Sequence, residues 1–94
     1  MIDEKDLRIL KLFKCLSNGV RYEIIKLLKS TKYSVNEIAV LLNKTPENIS
    51  QHLRILRDFN LVRYQTKNNS VIYSLKNKEV LKVINIAEEI LKRH

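Results

Sequence analysis

One cysteine, one glycine, one proline and no tryptophan stand in a chain of 94 residues. A lone cysteine, Cys15, excludes an internal disulfide framework and an all-cysteine zinc site. A lone glycine leaves no glycine-rich loop to cradle a phosphate. No apolar run approaches the roughly 18 residues a membrane span needs. The opening stretch MIDEKDLRIL is acidic and then amphipathic, which is not the pattern of a signal peptide. No membrane partner is therefore expected, and a cytoplasmic location is. Aromatics are also few: four Tyr and two Phe against 32 Ile, Leu and Val, so the core must be aliphatic. With 45% hydrophobic and 30% charged residues the chain is not a disordered tail. Its length suits one domain, read as 1–94, and a chain this short gains from a partner.

Acidic residues are the last scarcity. Ten Asp and Glu face eighteen Lys and Arg, for a net charge of +8. Such a charge fits a polyanionic ligand, or merely a lysine-rich composition. Its distribution narrows the choice. Between positions 44 and 78 lie seven bases (Lys44, Arg54, Arg57, Arg63, Lys67, Lys76, Lys78) and two acids (Glu47, Asp58), so this stretch holds +5 of the +8.

The periodicity predicts five helices and a hairpin. Asp3 can cap a first helix whose Ile9, Leu12, Phe13 and Leu16 share a face, with Leu7 and Leu10 widening it. Ser17 or Asn18 starts a second helix, with Val20, Ile24, Leu27 and Leu28 on its stripe, ending near Lys29 and Ser30. Ser34 and Glu37 form a capping box for a third, from which Ile38, Leu41 and Leu42 face inward and small Ala39 allows a close crossing. Asn43 and Lys44 make a short turn. Thr45 caps a fourth helix, Pro46 to about Phe59, with Pro46 at its first position and Ile49, Leu53 and Leu56 buried. Asn60 suits the left-handed stop. Leu61 to Lys67 and Val71 to Leu75, rich in β-branched and aromatic residues, then read as strands about the turn KNNS, with Val71, Tyr73 and Leu75 on one face of the second. Asn77 caps a fifth helix, Lys78 to about Arg93, with Val80, Val83, Ile84, Ala87, Ile90 and Leu91 in a heptad-like repeat. The expected fold is mainly α with a β-hairpin wing, a winged helix-turn-helix in the order α-α-α-α-β-β-α.

That order has a functional reading. Two helices joined by a short turn, the second capped by Thr-Pro and followed by a basic hairpin, suit double-stranded DNA. The third helix braces against the backbone, the fourth offers its N-terminal residues to the major groove, and the hairpin carries Arg63 and Lys67 toward phosphates. The candidate DNA-binding residues are Thr45, Glu47, Asn48, Ser50, Gln51, His52, Arg54, Arg57, Arg63 and Lys67. Gln51 and Asn48 can pair bidentately with adenine, or be solvated polar residues of an amphipathic helix.

The segments LFKCLSNGVRYEIIKLL (12–28), SVNEIAVLL (34–42), TPENISQHLRILRDFNLV (45–62) and VIYSL (71–75) resemble the ArsR/SmtB-type winged-helix repressors. The most specific part is SQHLRILRDFNLV, and the similarity runs over about residues 7 to 91. The resemblance implies a homodimeric transcriptional repressor, joined through its first and last helices, that releases its operator when a metal or other inducer binds; if the dimer is two-fold symmetric, that operator is an imperfect palindrome. Leu7, Val83, Ile84, Ala87, Ile90 and Leu91 are the candidate dimer residues, although the last helix's stripe could also be ordinary core. The family's sensor ligands do not carry over. Its arsenic and lead sensors place a Cys-x-Cys-type pair on the third helix, and residues 33–40 here hold no cysteine. Its zinc sensors use Asp and His on the last helix, where this chain offers Glu88, Glu89 and a terminal His94. Cys15, His52 and His94 match no zinc spacing, so neither metal nor cofactor is expected. Cys15 reads as a small core residue or a thiol switch, and His52 as a polar group facing the groove. Tyr64 and Tyr73 read as hairpin packing. The competing function is a winged-helix protein–protein assembly module without DNA binding. Nothing supports an enzyme: there is no acid pair with a nucleophile and no cofactor loop.

Overall fold

The computed structural model describes residues 1–92 as α1 (Glu4–Leu16), α2 (Gly19–Ser30), β1 (Tyr33–Ser34), α3 (Val35–Leu42), α4 (Pro46–Asp58), β2 (Val62–Lys67), β3 (Ser70–Leu75) and α5 (Glu79–Lys92). His94, weighed above as a metal ligand, and the expected last helical residue Arg93 lie outside the described residues.

Local chemistry sets each helix start. Asp3 and Asp6 exchange side-chain-to-backbone bonds at the head of α1, a capping box in which Asp6 is one methylene shorter than the usual Glu. Asn18, not Ser17, caps α2, accepting from the Val20 and Arg21 amides. Ser34 accepts from the Glu37 amide at 3.1 Å while Glu37 accepts from the Ser34 amide at 2.8 Å, the expected box. Thr45 Oγ1 accepts from the Asn48 amide at 3.1 Å, and Pro46 loses no bond in the first turn. Asn77 accepts from the Glu79 amide and starts α5. Asn43 and Asn60 take positive φ just past α3 and α4, where a left-handed residue lets the chain leave the helix. Asn68 and Asn69 both have positive φ, the conformation a two-residue hairpin turn requires, and they pin the register from Lys67–Ser70 to Val62–Leu75.

Ile24, Ile25 and Leu28 of α2, Ile38 and Ala39 of α3, Ile49, Leu53 and Leu56 of α4, and Val62, Tyr73 and Leu75 of the wing form the core, closed by Leu61. From the terminal helices only Cys15 and Val80 are buried within it.

Several expectations are corrected. The sheet has three strands in the order β1-β3-β2, because Tyr33 and Ser34 pair with Tyr73 and Ile72. Two residues are too few to show a period. Leu41 does not face inward: it is exposed, as is Val40, because α3 is covered on one side only and turns Ile38, Ala39 and Leu42 to the core. Val71 is exposed because it sits near the hairpin tip, beyond the reach of the helices that cover Tyr73 and Leu75. On α1, Ile9 and Phe13 stand open, while Leu12 and Leu16 pack only partly.

Candidate nucleic-acid interface

The outward face of α4 is polar and free. Thr45, Glu47, Ser50, Gln51, Arg54 and Arg57 are exposed, while Ile49, Leu53 and Leu56 on the opposite side are fully buried. A helix seated by three aliphatic anchors has a fixed rotation about its axis, so its polar face has a fixed direction. Asn48 is half-buried, and its Oδ1 has no hydrogen-bond partner. His52 departs from the expected groove-facing position. It is half-buried, and its Nδ1 meets Arg21 Nη1 of α2 at 3.1 Å. Burial, then the cations of Arg21 and Lys44, hold its pKa below the ordinary 6.5, so the ring is neutral at neutral pH.

The wing is tied to the far end of α4. The Arg57 guanidinium lies 5.2 Å from the centre of the Tyr64 ring, and Tyr64 packs against Tyr73 at 5.6 Å. The tyrosines therefore act as hairpin packing, as their positions suggest, with Arg57 as a third layer. Ser50, Gln51, Arg54, Arg57 and Tyr73 line one hollow between α4 and the sheet. The two basic wing residues separate. Lys67 is at the hairpin tip opposite Ser70, whereas Arg63 is near the base opposite Ser74. Four residues of strand put them about 13 Å apart. Period two places both on the sheet face opposite Tyr64. At the base Arg63 joins Lys76, Lys78 and Glu79 around a second depression. Cys15 is buried, and burial raises its pKa against the opposing pull of Arg21, so it is a protonated core thiol.

The arsR-family model of bacterial regulatory proteins matches residues 18–64, half of the chain. The chain belongs to this family. It is 29% identical to the HTH-type transcriptional regulator KmtR of Mycobacterium tuberculosis over 82 residues, covering 87% of this chain and 63% of that protein. It therefore spans under two thirds of KmtR's length. It is 32% identical to the transcriptional repressor SdpR of Bacillus subtilis, over 78% of this chain and 81% of that one. Among solved structures it is similar to M. tuberculosis Rv0081, with a TM-score of 0.89 and 26% identity over 98% of this chain and 93% of that one.

The ArsR-family fold accounts for the placement of α4 and the wing. Among the described residues no group of three or more His, Cys, Asp and Glu comes together that could hold a metal, and no helix is long and apolar enough to cross a membrane. Arg21 is the residue that reading the sequence overlooked. It sits 31 positions from His52, and nothing in helical or strand spacing signals their meeting.

Proposed function

We propose that this ArsR-family chain is a homodimeric, sequence-specific DNA-binding repressor acting in the cytoplasm. The fourth helix reads base edges in the major groove, chiefly through Gln51 with Ser50 and Arg54 beside it. Lys67 and Arg63 hold phosphates from the tip and base of the wing. The observation that carries this reading is the exposed polar face of α4, anchored by Ile49, Leu53 and Leu56 and flanked by the basic wing. A helix end that binds within its own protein would not leave Thr45, Glu47, Ser50 and Gln51 uncovered together. Pairing through α1 and α5 is supported by their open apolar faces: Leu7, Ile9, Leu10 and Phe13 on one, Val83, Ile86, Ile90 and Leu91 on the other. Fully burying one such side chain contributes about 1.5–3 kcal/mol, and monomeric proteins rarely leave so many together in water. Ile84 serves the chain's own core more than a seam, being partly buried against it. A two-fold pair implies an imperfectly palindromic operator.

The test is binding of the full chain to a duplex that it enriches from a random-sequence pool, and to a scrambled duplex, across a salt series. The expected result is preference for the enriched duplex and an affinity that falls steeply with salt. No enrichment and no salt dependence would leave the assembly module as the better reading. Zinc or arsenite is expected to change affinity less than about tenfold, and a stoichiometric, chelator-reversible loss of binding would contradict that.

A further inference from the structure

Arg21, in the first turn of α2, joins three helices. Its Nε donates to the Cys15 carbonyl oxygen at 2.8 Å, in the last turn of α1. Its Nη1 meets His52 Nδ1 on α4 at 3.1 Å. Its backbone amide is itself held by the Asn18 cap at 3.1 Å, so both ends of the residue are tied. A guanidinium only donates and keeps its charge, so the direction of the second bond is fixed: Nδ1 accepts. An imidazole that accepts at Nδ1 while neutral carries its proton on Nε2. Among the described residues Nε2 has no hydrogen-bond partner and is not a buried unpaired atom, so its N–H reaches solvent.

We propose that Arg21 is a positioning residue for DNA reading: acting through His52, it fixes the Nε2–H tautomer of that ring and ties α4 to the end of α1. The helix next to Gln51's base-reading face is thereby held to the helix that meets the second chain. This rests on the DNA-binding reading above. The charged and titratable groups around His52 are consistent with it. Arg21 from α2 and Lys44 from the turn before α4 are both cations that disfavour an imidazolium, and the Cys15 thiol of α1 is kept protonated by burial and brings no negative charge. The neutral ring that the bond requires is the form present at neutral pH. Protonation would place a donor against a donor and release the tie.

Arg21→Lys separates charge from geometry. It keeps the positive charge, but a compact ammonium cannot reproduce the planar fork that reaches two acceptors at once. The probes are the full-length chain, the duplex enriched by the wild type and a scrambled duplex of equal length. Arg21→Lys is expected to weaken the enriched duplex about tenfold and the scrambled one by less than about twofold. In a His52→Ala background the same change is expected to add less than about twofold, because the link to α4 is already gone and the remaining bond, to the Cys15 carbonyl, no longer reaches the reading helix. Nitrogen NMR of the wild-type ring is expected to show a single Nε2–H tautomer, becoming a mixture in Arg21→Lys. An Nδ1–H tautomer in the wild type would overturn the inference without any variant. So would an unchanged preference in Arg21→Lys, or a full tenfold loss in the His52→Ala background. A wild type that enriches no sequence at all would overturn the DNA reading and this role with it, an outcome distinct from enrichment that ignores Arg21.

Discussion

The middle of the chain and its two ends use the same aliphatic residues differently. Helices α2, α3 and α4 with the wing bury nearly all of the core, and six of their side chains (Ile24, Ile25, Ile38, Ile49, Leu53 and Leu56) retain no solvent exposure. Helices α1 and α5 contribute Cys15 and Val80 to that core and leave eight large apolar side chains open, from Val83 at 37% to Leu91 at 73% exposed. A helix keeps its apolar face because something covers it. In the middle that something is the chain itself. At the ends it is, on the reading proposed above, a second copy. On that reading the two regions divide the work: one sets the direction of the α4 polar face, the other sets how far apart two such faces lie.

The strongest contrast comes from removing one aliphatic group from each region. Leu53→Ala is expected to cost about 2–5 kcal/mol of folding stability, equally at every protein concentration, as read by chemical denaturation. Ile90→Lys, at a position more than half exposed in the single chain, is expected to spare the fold of the middle region. It should weaken self-association by about 2 kcal/mol or more, read by sedimentation, and abolish any dependence of Tm on concentration. If Ile90→Lys unfolds the middle region, or if the wild type sediments as a monomer at micromolar concentration, the division is wrong.

Smaller effects sharpen the same contrast within the middle region. Gln51→Ala is expected to cost about 1–3 kcal/mol on the enriched duplex and little on a scrambled one. Lys67→Ala should weaken both alike and lower the magnitude of the salt slope by about one. Affinities at several salt concentrations distinguish the two. The smallest effect concerns pH. The folded pKa of His52 lies below the ordinary 6.5 of the unfolded chain, so below that pH the unfolded state binds more protons. The contribution is fully present above pH 6.5 and is lost as pH falls through the folded value. Denaturation midpoints should therefore decline on acidification over that window, and less so in His52→Ala.

Much of this arrangement was legible because local chemistry dictates it. Capping residues at Asp3, Ser34, Thr45 and Asn77, and asparagines at positive φ at positions 60, 68 and 69, act within a few residues of the element they start or end. The buried stripe of α4 was legible for the same reason, and so was its polar face. What escaped depends on contacts distant in sequence. Strand β1 exists only because β3 lies beside it. Leu41 has the right spacing to be core, and only the absence of a covering element on that side of α3 leaves it in water. The tie from Arg21 to His52 crosses 31 residues. Periodicity gives the face of an element but not what stands opposite it.

On the proposed reading a two-fold pair of these chains presents two α4 helices to the major groove. Methylation interference at guanine N7, which lies in that groove, tests it most directly when performed on the enriched duplex with the wild-type chain. Two clusters of interfering guanines related by a two-fold axis are expected, centred about ten base pairs apart or a multiple of that. A single cluster, or binding indifferent to methylation at every N7, would contradict it.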